Sequence, residues 1–77
     1  MSAHTLDKLI YMANQIARNV THDPDPVTMI ADHIKAFWTP RMLQQIFAVL
    51  EAPEGAELDP ISHAALSRLA AKGAHAA

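Results

Sequence analysis

The chain has 77 residues and a mass of 8.4 kDa, which is one small domain at the edge of what a single hydrophobic core can hold. Eight acidic against six basic residues leave a net charge of −2, so the basic footprint of a nucleic-acid-binding module is missing. There is no cysteine, which excludes disulfides, thiolate metal sites and iron–sulfur ligation by this chain itself.

From Leu6 the apolar positions run Leu6, Leu9, Ile10, Ala13, Ile16, Ala17 and Val20. Steps of three and four predict one face of a helix over 6–20, with Thr5 as its N-cap and Asp7 suiting the dipole of its first turn. Thr21-His22-Asp23-Pro24-Asp25-Pro26 ends it, because two prolines in three residues make a turn.

Asp25-Pro26 then reads as an N-cap followed by proline at the first helical position. The second helix, 26–38, carries Val27, Ile30, Ala31, Ile34, Phe37 and Trp38. It stops there because a residue before proline is pushed out of the α region. Thr39-Pro40 repeats the device and opens a third helix over 40–51, with Leu43, Ile46, Phe47 and Leu50 in its stripe and Met42 and Val49 flanking it. A linker of 52–57 follows. Asp59-Pro60 starts a fourth, shorter helix over 60–72, with Ile61, Ala65, Leu66 and Leu69 inward and Gly73 as its left-handed close. Ala74–Ala77 is expected to fray.

The expected fold is therefore all-α: a single-domain bundle of three main helices plus a shorter C-terminal one. No apolar run approaches the ~20 residues of a membrane span. The first residues, Met1-Ser2-Ala3-His4, lack the basic and apolar regions of a secretory signal, so a cytoplasmic protein without nucleic-acid or membrane partners is expected.

Catalytic and metal chemistry find little support. Ser62 and His63 are consecutive, and helical neighbours point about 100° apart. A triad also needs an orienting group and an oxyanion hole, and neither is visible. His22, Asp23 and Asp25 share one loop, but Pro24 and Pro26 stiffen it; the pattern reads as a capped turn rather than an ion site. With glycine only at 55 and 73, no phosphate-binding loop is possible.

What remains is a surface for binding. Hydrophobic residues make up 51% of the chain, yet fifteen of them are alanine, so an isolated core would be marginal. Charged residues are 18%, below the roughly 25% of soluble proteins, which points to a covered face. The corner Phe37-Trp38-Thr39-Pro40 holds two of the four aromatics. Phe37 reads as core. Trp38 reads equally as core or as interface, since tryptophan is enriched where proteins meet. His33 and Phe37 are four apart and therefore neighbours. Arg41 sits where a cation opposes the helix dipole, which leaves it to pair outward. Asn14 and Gln15 are polar-face residues or partners for a docked chain. The residues alone describe an interaction subunit, either of a larger assembly or of a self-associating homo-oligomeric module.

A family can be set beside these residues. Ile30-Ala31-Asp32-His33-Ile34-Lys35-Ala36-Phe37-Trp38-Thr39-Pro40-Arg41-Met42 resembles the heart of the small delta subunit of cytoplasmic NAD-dependent formate dehydrogenases. Leu9-Ile10-Tyr11-Met12-Ala13-Asn14-Gln15-Ile16 is similar to that family's first helix, and Leu58-Asp59-Pro60-Ile61 with Ala65, Leu66 and Leu69 to its closing segment. After Ile16 the family often continues with glycine and aromatics, where this chain has Ala17-Arg18-Asn19-Val20.

The resemblance implies a non-catalytic accessory subunit that binds the large alpha subunit and supports assembly or stability, with no cofactor of its own. The partner subunits would carry a molybdenum or tungsten bis-pyranopterin guanine dinucleotide centre, iron–sulfur clusters, FMN and NAD. His33, Trp38, Pro40, Arg41 and Met42 are the expected contacts, with Met12, Asn14 and Gln15 beside them. Ile30, Ile34 and Phe37 are expected to brace that corner from behind.

Overall fold

The computed structural model describes the backbone of residues 2–76 and the side chains of residues 5–72. Four α-helices and one 3-10 helix follow in order: α1 (Ser2–Asn19), α2 (Pro26–Phe37), α3 (Pro40–Phe47), a 3-10 helix (Pro53–Glu57) and α4 (Pro60–Ala76). Among the described residues there is no strand. No described helix is long and apolar enough to cross a membrane.

The three cap-and-proline starts form as expected. Asp25 accepts a hydrogen bond from the Thr28 N–H at 3.3 Å, Thr39 from the Met42 N–H at 3.2 Å, and Asp59 from the Ile61 N–H at 3.0 Å. Each satisfies one of the orphan donors of a helix start, while the proline next to it has no donor to satisfy.

Several boundaries differ from the sequence reading. α1 begins at Ser2, so Thr5 lies inside the helix and does not cap it. Nothing in residues 2–5 breaks a helix, and the backbone continues past the point where the apolar stripe starts. α3 ends at Phe47 instead of near 51, followed by i→i+3 bonds from Val49 to Ile46 and from Leu50 to Phe47. The 52–57 linker is itself ordered, with Gly55 backed against this turn; a Cβ there would stand 2.5 Å from both the Val49 and Leu50 carbonyl oxygens. That close approach is what folds the chain back, and only glycine permits it.

α4 is not the short helix. It runs 17 residues, through Gly73, against 8 for α3. Its alanine-rich end has the strongest helix propensity available, and a lone glycine costs only about 1 kcal/mol. The expected left-handed close at Gly73 is thus absent, and the helix extends into the 74–76 stretch expected to fray; Ala77 lies outside the described residues.

The core is assembled from Leu9, Ile10, Ala13 and Ala17 of α1, Ile30, Ala31 and Ile34 of α2, Ile46 and Leu50, Leu58, and Ala65 and Leu66 of α4. α2 packs most extensively on α4. The fully buried alanines at 13, 17 and 65 let backbones approach closely, and the buried Ser62 hydroxyl donates to the Ala13 carbonyl at 2.9 Å. The Cα radius of gyration, 11.5 Å, equals the value of about 11.5 Å expected for a compact chain of this length.

One expectation about this core is reversed. Trp38 is 6% exposed and belongs to it, whereas Phe37, expected as a brace behind the corner, is 72% exposed. Residues 30, 34 and 38 follow one another at four-residue steps, so the inward row of α2 runs into Trp38. There the helix stops: Trp38 is extended (φ −88°, ψ 142°), and its N–H closes the last turn on Ile34. Phe37 belongs to the outer row, with Met29 and His33.

Candidate functional site: an aromatic groove

The outer row of α2 faces α1 across a shallow groove of about 410 Å³. Tyr11, Met12, Gln15 and Ile16 of α1 form one wall; His33 and Phe37 of α2, with Trp38 and Met42, form the other. The His33 and Phe37 rings lie 4.8 Å apart between centroids, tilted by 38°. Tyr11 is 63% exposed and Met29, one turn before His33, is 44% exposed. These are large apolar side chains standing in water beside a concavity, the usual anatomy of an interaction site.

One end of the Met42 wall is tied to the helix start. Thr39 and Met42 bind reciprocally: the Thr39 hydroxyl accepts from the Met42 N–H, and the Met42 sulfur accepts from the Thr39 N–H at 3.5 Å. This capping box fixes the start of α3 against the end of α2.

Of the residues expected at a contact, Met12, Gln15, His33, Trp38 and Met42 converge here. Pro40 and Arg41 are exposed at the start of α3 but do not line the groove. Asn14 points elsewhere. Its amide nitrogen donates to the Glu57 carbonyl at 2.9 Å, and its carbonyl oxygen accepts from the Asp59 N–H at 2.7 Å. It clamps the entry to α4, a role invisible in the sequence because the partners are 43 and 45 residues away. Tyr11 and Phe37 were missed as site residues. The signal that finds them is the four-residue row Met29, His33, Phe37 on α2 and the Tyr11–Gln15 pair on α1, both lying outside the core stripes.

Ser62 and His63 each bind a backbone carbonyl of another segment. The His63 Nε2–H donates to the Leu50 carbonyl at 2.9 Å, which leaves Nδ1 as the acceptor facing the Ser67 hydroxyl at 3.4 Å. His63 thereby pins the turn after α3 to α4. No three histidine, aspartate or glutamate side chains among the described residues are placed to hold a metal ion.

A second depression, of about 320 Å³, lies between α2, α3 and α4. Ala31, Leu43, Phe47 and Leu69 line its apolar part; Asp32, Lys35, Arg68 and Lys72 are the charges around it. Arg68 donates from Nη1 to the Thr28 hydroxyl at 2.9 Å, which in turn donates to Asp25 at 2.6 Å. The side-chain and backbone hydrogen bonds from Thr28, helped by the charge of Arg68, hold the Asp25 carboxyl below its ordinary pKa.

Fold and surface together define a small helical module with an exposed aromatic groove, in which Asn14, Ser62, His63 and Arg68 tie the elements to one another. The chain belongs to the family described as NADH-dependant formate dehydrogenase delta subunit FdsD, whose family model matches residues 8–66. It is thus a delta subunit of an oxidoreductase complex, and its association is with the other formate dehydrogenase subunits. No curated protein and no solved structure matches the chain.

Proposed function

We propose that this chain is a non-catalytic accessory subunit that binds the large catalytic subunit of a cytoplasmic, NAD-dependent formate dehydrogenase through the aromatic groove, and so supports assembly or stability of the complex. The observation that carries this reading is the exposure of Phe37 and Tyr11 on either side of a groove that Trp38 also lines. Burying two aromatic side chains of this kind is what a protein–protein hot spot does, at about 2 kcal/mol or more each. In this reading the chemistry belongs to the partners, which carry the molybdenum or tungsten bis-pyranopterin guanine dinucleotide centre, iron–sulfur clusters, FMN and NAD. A chain without cysteine is suited to stand beside such centres and not to ligate them.

His33 orients Phe37 by packing against it, and the Thr39–Met42 capping box holds Met42, a lining residue of the groove, in place before any partner arrives. A preformed surface loses little entropy on docking, and the bound partner stabilises the small fold by mass action.

The test is co-purification with tagged large subunit. The double variant Tyr11→Ala/Phe37→Ala is expected to keep its helicity and lose recovery with the large subunit. Undiminished recovery would remove the groove from the interface. Light scattering on the isolated chain separates the self-association reading: a tight dimer with no affinity for formate dehydrogenase would replace this proposal.

A further inference from the structure

α2 presents its other side to the second depression. Thr28, Asp32 and Lys35 lie about 160° round the helix from His33 and Phe37, at 100° per residue. Three of the chain's six cations, Lys35, Arg68 and Lys72, gather around this one cleft against two carboxylates, Asp32 in its lining and Asp25, which Arg68 reaches through Thr28, although the chain as a whole carries a net charge of −2. Its floor is apolar, made by Leu43, Phe47 and Leu69. Arg68 is set in position by its bond to Thr28, and Lys35 and Lys72 are exposed.

This chemistry selects an occupant. A small inorganic anion would meet the cations and leave the apolar floor empty. A nucleic acid needs a larger run of phosphate contacts than three cations supply. An apolar surface alone would not concentrate half of the chain's positive charge at its rim.

We propose that the cleft seats an acidic segment of a partner formate dehydrogenase subunit, with an apolar side chain on Phe47 and Leu69 and flanking carboxylates on Lys35, Arg68 and Lys72. This rests on the reading of the chain as a docking subunit and adds a second contact face, of opposite chemistry to the aromatic groove. Exposed complementary charge raises the association rate and makes binding salt-dependent.

The experiment immobilises formate dehydrogenase assembled without this chain and titrates in the full chain at about 50 mM and about 500 mM salt, where the screening length falls from roughly 14 Å to 4 Å. Lys35→Glu/Lys72→Glu changes two exposed side chains, and circular dichroism checks that the helices remain. Affinity is expected to fall about tenfold or more at low salt, with the gap narrowing at high salt. A variant that binds like the parent at low salt overturns the proposal.

Two other occupants would also overturn it. Self-association of the parent at low salt, reversed by the lysine variant, would assign the cleft to a second copy, whose Glu51, Glu54 and Glu57 are exposed. Saturable binding of inorganic phosphate or a nucleoside triphosphate, lost in the variant, would assign it to a small anion. The two readings fail separately. If Tyr11→Ala/Phe37→Ala keeps affinity while the lysine variant loses it, the groove falls and the cleft stands. If the parent does not bind the complex at all, both fall.

Discussion

The two depressions flank the same helix, yet they are made from different residues of its repeat. The row at 30, 34 and 38 is buried and fixes the orientation of α2. What is left of the helix surface is divided: Met29, His33 and Phe37 give an aromatic ridge, and Thr28, Asp32 and Lys35 give a polar, charged one. The groove draws nothing from α4, whereas the cleft draws Arg68, Leu69 and Lys72 from it. The difference teaches that a core of this size can hold one helix so that both outer sides carry organised surface. It also separates the physical work. In the complex proposed above, apolar burial in the groove would govern how long the complex lasts, and charge at the cleft how fast it forms.

The sharpest break in that comparison is the tryptophan between the two sides. Trp38→Ala removes a buried indole, with an expected loss of about 3–5 kcal/mol. That is enough to unfold a marginal chain, and circular dichroism of the isolated variant should show lost helicity. Its sequence neighbour behaves oppositely. Phe37→Ala should change stability by less than about 0.5 kcal/mol. The two aromatics sit side by side in the sequence and on opposite sides of the water boundary.

Gly55→Ala comes next. Its Cβ would stand 2.5 Å from two backbone oxygens that have no side-chain freedom to yield, with an expected cost of about 1–3 kcal/mol. The urea midpoint measures it. Asn14→Ala sharpens the comparison more directly. It removes both bonds at the entry to α4 and leaves the half-buried Asp59 N–H without its partner, for about 1–3 kcal/mol. Because only the cleft has an α4 wall, this variant should lose salt-dependent binding before it loses the groove's contribution.

Much of this was legible from local rules. The starts of α2, α3 and α4 follow from Asp25-Pro26, Thr39-Pro40 and Asp59-Pro60, where cap and proline act within three residues. Of the residues expected at a contact, Met12, Gln15, His33, Trp38 and Met42 do line one groove, which helical spacing suffices to bring together, while Asn14, Pro40 and Arg41 do not. What stayed hidden is non-local or depends on where a helix stops. The Asn14 clamp and the contact of Gly55 with the Val49–Leu50 turn join segments that periodicity does not connect. Phe37 reads as core and Trp38 as either core or interface because three- and four-residue steps from Ile34 reach both, and only the termination geometry decides which one turns inward. α4 was read too short because a glycine near a helix end suggests a close that alanine propensity overrides.

The smallest effect is in acid. Asp25 has a depressed pKa in the folded chain, so its contribution is complete above the ordinary aspartate pKa of about 3.9 and is lost as pH falls through the lower folded value. Thermal midpoints of the parent should therefore decline at low pH more steeply than those of Asp25→Asn. The link from Asp25 through Thr28 to Arg68 places that loss on the cleft side of α2 and not on the groove.

The most direct measurement is oxidative side-chain footprinting of the chain alone and within the assembled formate dehydrogenase complex. Tyr11 and Phe37 should label readily in the free chain and become protected together on assembly, while Trp38 stays weakly labelled in both. Equal labelling of Tyr11 and Phe37 in the free and assembled states would contradict docking through the groove.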